Sequence, residues 1–174
     1  MSKKIILIAG PTASGKSKLA IEIARKIKGE IINADSMQVY KEFSILSSRP
    51  SKLDLKKIKH HLYGFQSANK HFSTGAWLKL VKKQIDQCLT NKKIPILVGG
   101  TGLYFEAITK GMSKIPNIDF KKRNKVREFQ KKIGQKKFYK FLLELDPLVK
   151  NKIKSSDTQR SIRAYEVKKF TKKS

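Results

Sequence analysis

The sequence predicts an α/β fold in which helices flank a parallel β-sheet, followed by a basic helical subdomain. Three observations support this prediction. The apolar run at residues 5–8 leads directly into the sequence G-P-T-A-S-G-K-S at residues 10–17. Strand-like and helix-like apolar patterns then alternate up to residue 110, and only helical patterns follow residue 117. Such alternation is typical of parallel sheets with right-handed crossovers.

The first predicted strand covers residues 4–9, and its nearly continuous apolar character is typical of a strand that is buried on both faces. An amphipathic helix follows to about residue 28, with Gly29 as its C-cap. The remaining core elements are a strand at 30–33, a helix at 74–91 with Ala76, Trp77, Leu80, Val81, Ile85 and Leu89 on one side, a strand at 94–98, and a helix to residue 110. Three strands are few for an open sheet, so we expect the sheet to be incomplete.

Residues 111–117, which include Pro116, read as a junction between two regions. Beyond it, helices are predicted over 120–133 and 138–145, from Asp146-Pro147 onward, and after the cap Ser155-Ser156-Asp157. We therefore expect an α/β core at residues 1–112 and a basic helical region at residues 113–174.

The charge of the chain points to a polyanionic partner. The 174 residues carry a formal net charge of +27, of which residues 110–174 contribute +15 and contain four of the six arginines. Arginine is the better reader of phosphates and bases. The alternative is a solvated lysine face, because 34 of the 40 basic residues are lysines.

Other classes of protein are disfavoured by composition. The single cysteine, Cys88, excludes an internal disulfide and fits a reducing compartment. The apolar runs are shorter than a membrane span, and the one near the N-terminus is too short for a signal peptide. We expect a cytoplasmic monomer without a membrane partner. The adjacent His60 and His61 have no cysteine or carboxylate cluster nearby in the sequence, so we do not expect them to bind metal.

Residues 10–17 match the phosphate-binding pattern G-x-x-x-x-G-K-[ST] between a strand and a helix. Gly10 and Gly15 allow the backbone N–H groups to approach phosphate oxygens, and the helix directs its positive end at the same anion. Lys16 adds a positive charge, and the hydroxyl of Ser17 is a ligand for Mg²⁺. The candidate phosphate site consists of Gly10, Pro11, Thr12, Ala13, Ser14, Gly15, Lys16 and Ser17.

Two further segments follow predicted strands and should meet the loop at the carboxyl edge of the sheet, where ligands bind. Asp35 follows the second strand, and it is either a general base or the cap of the next turn. Gly99-Gly100-Thr101-Gly102 follows the third strand, where its glycines permit close approach of a ligand and Thr101 supplies a hydrogen bond. The candidate catalytic residues are Asp35, Lys16 and Thr101.

The order and spacing of the motifs resemble the tRNA dimethylallyltransferase family. Besides the loop, the resemblance rests on I-N-A-D-S-M-Q-V-Y-K, S-S-R-P-S, K-H-H-L, V-G-G-T-G-L-Y and D-T-Q-R-S-I-R-A-Y-E-V. It implies transfer of a dimethylallyl group from dimethylallyl diphosphate to N6 of the adenine 3′ of the anticodon in tRNA. Residues 10–17 would bind the diphosphate rather than ATP, with Ser17 on Mg²⁺, and Asp35 would accept the proton.

The resemblance also implies contacts with the anticodon loop of tRNA. These would come from Asp35, Ser36, Met37, Gln38, Thr101, Arg123, Gln159, Arg160, Ser161, Ile162 and Arg163. Family members continue well beyond the Q-R-x-x-R helix, so we expect a natural fragment or a truncated product with impaired activity. Two alternatives remain: a small-molecule kinase that uses ATP, and a tRNA-binding remnant without catalytic activity.

Overall fold

The structure is a computed structural model that describes residues 4–70, 72–113, 115–116 and 118–173. The backbone divides into two compact units, Met1–Met112 and Ser113–Ser174. In the described parts of the chain, no helix combines the length and the apolar character that crossing a membrane requires.

The first unit contains four strands and four helices in the described residues. In chain order they are β1 (Ile6–Ala9), α1 (Lys16–Ile27), β2 (Gly29–Asn33), α2 (Lys52–Lys57), β3 (His60–His61), α3 (Thr74–Thr90), β4 (Ile94–Gly99) and α4 (Gly102–Lys110). All neighbouring strands are parallel, in the order β1-β4-β2-β3. The predicted parallel sheet with flanking helices is therefore confirmed.

The core forms on both faces of this sheet. On one face, Trp77, Val81, Ile85 and Cys88 of α3 are buried against β2 and β4 together with Tyr104 of α4. Their spacing of three and four residues is the helical periodicity that predicted α3. On the other face, Ala20 and Ala24 of α1 pack against Ile31, Ile96 and Val98. The sheet is thus a middle layer, which fixes the carboxyl ends of its strands as one edge.

The prediction that the first strand is buried on both faces is wrong. β1 lies at the edge of the sheet, paired with β4. Ile6 and Ile8 pack toward α1, whereas the Leu7 side is open, with 42% of the residue exposed. A run of apolar residues predicts a strand, but it does not show how many neighbouring strands that strand pairs with.

The end of α1 and the strand count also differ from the sequence prediction. Lys28, not Gly29, adopts the left-handed conformation at the helix end, with φ of 55°. Gly29 begins β2, where a Cβ atom would lie 3.1 Å from the Ile94 carbonyl oxygen, so the glycine allows close packing of β2 against β4. The short strand β3 was not predicted, because two residues show no periodicity. Ser51 caps α2, a helix that the sequence analysis did not predict.

The second unit is helical in its described residues. It contains α5 (Phe120–Ile133), α6 (Gln135–Leu145) and α7 (Thr158–Thr171). The helix predicted at Asp146-Pro147 is a single 3₁₀ turn, Pro147–Val149. The cap of α7 is Asp157, whose side chain accepts a hydrogen bond from the Arg160 N–H. Phe138 and Leu142 of α6 are buried in the core of this unit.

Candidate functional site

The loop at residues 10–17 joins the carboxyl end of β1 to the N-terminus of α1. Ala13 and Gly15 have positive φ angles of 64° and 80°, so the backbone turns sharply in front of the helix. Ala13 has a Cβ atom, so its left-handed conformation is strained, and residues strained in this way are often found at functional sites. Gly10 donates a hydrogen bond from its N–H to the Gly99 carbonyl at 3.3 Å, which ties the loop to β4.

The loop also places positively charged groups where they can contact an anion. Lys16 donates a hydrogen bond from Nζ to the Pro11 carbonyl at 2.7 Å, so its ammonium group folds back over the loop. In the described structure, no side chain caps the N-terminus of α1. The first N–H groups of the helix and the ammonium group together can bind a diphosphate. Ser17 is exposed in the first turn of α1, where its hydroxyl could supply one oxygen ligand to a divalent metal ion.

Asp35 is held at the end of β2 by a neighbour that the sequence analysis missed. The fully buried Asn33 accepts a hydrogen bond at Oδ1 from the Asp35 N–H at 2.9 Å. Its Nδ2 donates to the carbonyls of Asp35 and Leu62, both at 3.0 Å. An Asn inside a strand gives no sequence signal for such a clamp, but its effect is to fix the backbone from which the carboxylate projects.

The glycines after β4 allow three strand ends to meet. A Cβ atom on Gly99 would lie 2.0 Å from the Ala34 carbonyl oxygen, so only glycine fits there. On Gly100 it would lie 3.2 Å from the Gly10 carbonyl oxygen and 3.5 Å from Oδ2 of Asp35. Gly100 therefore lies between the phosphate loop and the carboxylate. The structure brings the loop, Asp35 and the glycine segment together at the predicted edge.

Thr101 links the segment after β4 to the segment after β2 through hydrogen bonds with Ser36. Its Oγ1 accepts a hydrogen bond from the Ser36 N–H at 2.8 Å and donates to Ser36 Oγ at 3.2 Å. The side chain thus fixes the segment that begins at Asp35. Met37 is largely exposed, while Gln38 donates from Nε2 to the Ser47 carbonyl at 2.8 Å and ties the segment to the following loop.

The surroundings of Asp35 include two phenol groups that stay protonated. Burial raises the pKa of Tyr63, and the negative charge of Asp35 raises it further. Burial also raises the pKa of Tyr104 to about 12, with contributions from Tyr40 and Asp35. The ring of Tyr104 stacks on buried Trp77, with 4.0 Å between centroids. Both phenol groups near Asp35 therefore stay neutral.

A separate cluster of potential metal ligands lies at the start of β2 and is internally paired. His61 Nε2 is 2.6 Å and Cys88 Sγ is 3.6 Å from Oε2 of Glu30. Burial raises the pKa of Glu30, but the hydrogen bond with His61 and the charge of Lys59 outweigh it and hold that pKa below its usual value. Burial raises the pKa of the Cys88 thiol to about 11. Folding therefore brings a cysteine and a carboxylate to His61 that are distant from it in the sequence.

The predicted tRNA contacts of the second unit lie on α5 and α7. Gln159, Arg160 and Arg163 are exposed and Ile162 is half-buried, but Ser161 is buried and donates from Oγ to the Asp157 carbonyl at 2.7 Å. Arg160 and Arg163 line a cavity of about 570 Å³ together with apolar side chains. The sequence analysis missed Glu166, a buried carboxylate that contacts Arg163 and Arg123.

Comparison with known proteins agrees with these motifs. The family model described as IPP transferase matches residues 38–174. The tRNA dimethylallyltransferase of Pelagibacter ubique is 64% identical over 168 residues, which are 97% of this chain and 54% of that protein. The tRNA dimethylallyltransferase of Rickettsia canadensis is 48% identical over 172 residues, which are 99% of this chain and 53% of that protein. The chain thus spans about half the length of the curated relatives it matches.

Solved structures show the same similarity. A eukaryotic dimethylallyltransferase acting on tRNA superimposes with a TM-score of 0.81 at 29% identity, covering 96% of this chain and 42% of that one. The full-length tRNA isopentenylpyrophosphate transferase from Bacillus halodurans gives a TM-score of 0.63 at 31% identity, covering 98% of this chain and 56% of that one. The family resemblance of the sequence is confirmed, and the chain belongs to the IPP transferase family.

Proposed function

We propose that the chain binds dimethylallyl diphosphate and transfers its dimethylallyl group to N6 of the adenine 3′ of the anticodon in tRNA. The proposal rests on the position of Gly100 between the phosphate loop and the Asp35 carboxylate. A Cβ atom added to Gly100 would lie 3.2 Å from the carbonyl oxygen of Gly10 in the loop and 3.5 Å from Oδ2 of Asp35. A carboxylate beside a phosphate-binding loop is well placed to accept a proton from a nucleophile that attacks a diphosphate ester. Family membership supports the choice of donor and acceptor.

On the donor side, residues 10–17 bind the diphosphate. Lys16 and the N-terminal N–H groups of α1 neutralise the charge that develops on the leaving group. Ser17 would hold a Mg²⁺ ion, which supplies further neutralisation of that charge when bound. Pro11, Thr12, Ala13 and Ser14 shape the loop, and all four are exposed to an incoming ligand.

On the acceptor side, Asp35 accepts the proton of the exocyclic amine. The N6–C bond forms as the bond between carbon and diphosphate oxygen breaks, and the amine proton passes to the Asp35 carboxylate. Thr101 positions this carboxylate through its two hydrogen bonds with Ser36. An adenine must leave its stack to reach such a group, which is the usual arrangement when an enzyme modifies a base.

For tRNA binding, we assign contacts to both units. Asp35, Ser36, Met37, Gln38 and Thr101 contact the reactive adenine and its neighbours, and Arg123, Gln159, Arg160, Ile162 and Arg163 contact other parts of the RNA. Ser161 belongs to this segment but acts from inside the helix, because its hydroxyl is engaged there. The net charge of +15 on residues 110–174 supports an RNA partner for this region.

One assay tests this proposal against its alternatives. The chain is incubated with labelled dimethylallyl diphosphate or labelled ATP, each with and without tRNA and with Mg²⁺ present. Label from the donor that appears in tRNA supports the prenyl transfer. Turnover of ATP on a small acceptor supports a kinase, and tRNA retention without turnover of either compound supports an RNA-binding role only.

A further inference from the structure

Glu166 is a buried carboxylate that contacts two of the arginines assigned to tRNA binding. It lies in α7, and the residue is 1% exposed. Its Oε2 accepts a hydrogen bond from Nη1 of Arg163 at 3.2 Å and lies 3.4 Å from Nε of Arg123. Arg163 precedes Glu166 by three residues on the same helix, whereas Arg123 comes from α5. One carboxylate thus holds guanidinium groups from two helices.

Burial of the Glu166 charge carries a desolvation cost that a purely apolar contact between the two helices would avoid. Apolar side chains of similar volume often give equal or greater stability than a buried ion pair. The two arginines, moreover, are not buried with it: the side chain of Arg163 is 46% exposed and that of Arg123 is 30% exposed. Each arginine therefore has one guanidinium nitrogen beside Glu166, while part of its side chain is exposed at the surface.

Some polar atoms of Glu166 and Arg123 make no hydrogen bond to another described residue. The Arg123 contact lacks hydrogen-bond geometry, and Oε1 of Glu166 and Nε of Arg123 are buried without a hydrogen-bond partner among the described residues. Buried polar groups that serve only packing are usually paired. One carboxylate also cancels only one of two positive charges, so the trio keeps a net positive charge. Two partly exposed arginine side chains that are held in place by one carboxylate suit phosphate or base recognition.

We propose that Glu166 is a positioning residue for tRNA binding, which fixes Arg123 and Arg163 for contact with RNA. This inference rests on the proposed function. Arg160 provides a contrast within the same helix, because its side chain is 74% exposed and its ion pair among the described residues is with the capping residue Asp157 at 3.5 Å. Arg160 supplies charge, whereas Arg123 and Arg163 supply charge in a defined geometry.

The proposal predicts an effect opposite to that of simple charge. Glu166→Gln removes a negative charge from a polycation, so electrostatics alone would strengthen RNA binding. Loss of positioning weakens it instead. We expect about a tenfold loss of tRNA affinity, equivalent to one charge-assisted hydrogen bond, and a smaller loss for a single-stranded RNA of equal length. Glu128→Gln is the matched control, because it removes an exposed carboxylate from α5.

The measurements are equilibrium titrations of tRNA and of the single-stranded RNA, together with thermal melts of each protein. Glu166→Asp is the second variant, because it keeps the charge but shortens the reach to both arginines. It should also lose preference for tRNA, and it guards against a folding defect in Glu166→Gln.

The outcomes separate the two proposals. If the parent chain does not prefer tRNA over the single strand, both the proposed function and the positioning role of Glu166 are overturned. If the parent prefers tRNA and folded Glu166→Gln prefers it equally, only the positioning role of Glu166 is overturned. Failure of both variants to fold would make Glu166 a structural residue and would also overturn the proposal.

Discussion

The two oxygens of the Asp35 carboxylate have different neighbours. Oδ1 accepts a hydrogen bond from the Met37 N–H at 2.9 Å, whereas Oδ2 faces Gly100 beside the phosphate loop. The sequence left two roles open for this residue, the cap of a turn and a general base. The geometry is compatible with both at once, because one oxygen shapes the turn and the other remains directed at the loop.

Replacement of Asp35 by Asn tests its role as the base. The amide keeps the size of the side chain and can still accept the Met37 hydrogen bond, so donor and tRNA affinities should stay within a few-fold. The chemical step should slow by roughly 10²–10⁴, the usual contribution of a general base. Single-turnover transfer measures this step, with Asp86→Asn on the exposed side of α3 as control. Near-normal turnover would leave Asp35 as a cap only.

Glu30 provides a test of stability that is independent of activity. Its pKa is lowered in the folded protein, so the carboxylate stabilises the fold above its unfolded pKa of about 4.3, and this contribution is lost as the pH falls through the folded value. Glu30→Gln should lower the free energy of unfolding by about 1–3 kcal/mol at pH 7, and by less at pH 3.

Urea unfolding at both pH values measures this difference, with the exposed Glu22→Gln as control. A loss of stability for Glu30→Gln that does not shrink on acidification would show that the charge of Glu30 is not what stabilises the fold.

Among the secondary-structure elements, α7 carries the predicted RNA contacts on one side. Arg160 and Arg163 are three residues apart and share a helix face. Replacing both by Lys keeps the charge and removes the guanidinium forks. We expect discrimination between a tRNA with an exposed adenine 3′ of the anticodon and one without it to fall, while non-specific affinity and its salt dependence change little.

Competition titrations at two salt concentrations check this expectation, with the double substitution of Arg25 and Arg127 by Lys as control. If the parent chain does not distinguish the two tRNAs, the basic region is no more than a lysine-rich surface.

The elements differ in how far the sequence predicted them. The strand–loop–helix unit at residues 6–27 and the helix α3 were predictable, because their motif and periodicity are local. The edge position of β1, the strand β3 and the strand-packing role of Gly29 depend on neighbours that are distant in the sequence. The same reason applies to the site: Asp35 was found from its place after a strand, but Asn33 and Glu166 act through contacts that no local pattern shows.

At the scale of the whole molecule, each compact unit contains its own buried residues. We propose that the two units are the α/β core and the basic RNA-contacting region expected from the sequence. Limited trypsin digestion should then cut first after Lys110, an exposed residue at the end of α4 that precedes the boundary. Lys82 and Lys83 are also exposed but lie within α3, and they serve as internal controls. Equal cleavage rates at these sites would contradict the division.

In the proposed reaction, the loop at residues 10–17 holds the diphosphate of the donor. Binding of labelled dimethylallyl diphosphate in the presence of Mg²⁺ tests it directly, because binding does not require turnover. We expect the parent chain and the control Lys18→Ala to bind the donor, and Lys16→Ala to lose binding with an unchanged thermal melt, because Lys16 supplies charge to the diphosphate. Binding of the donor to Lys16→Ala as tightly as to the parent would contradict the assignment of the loop.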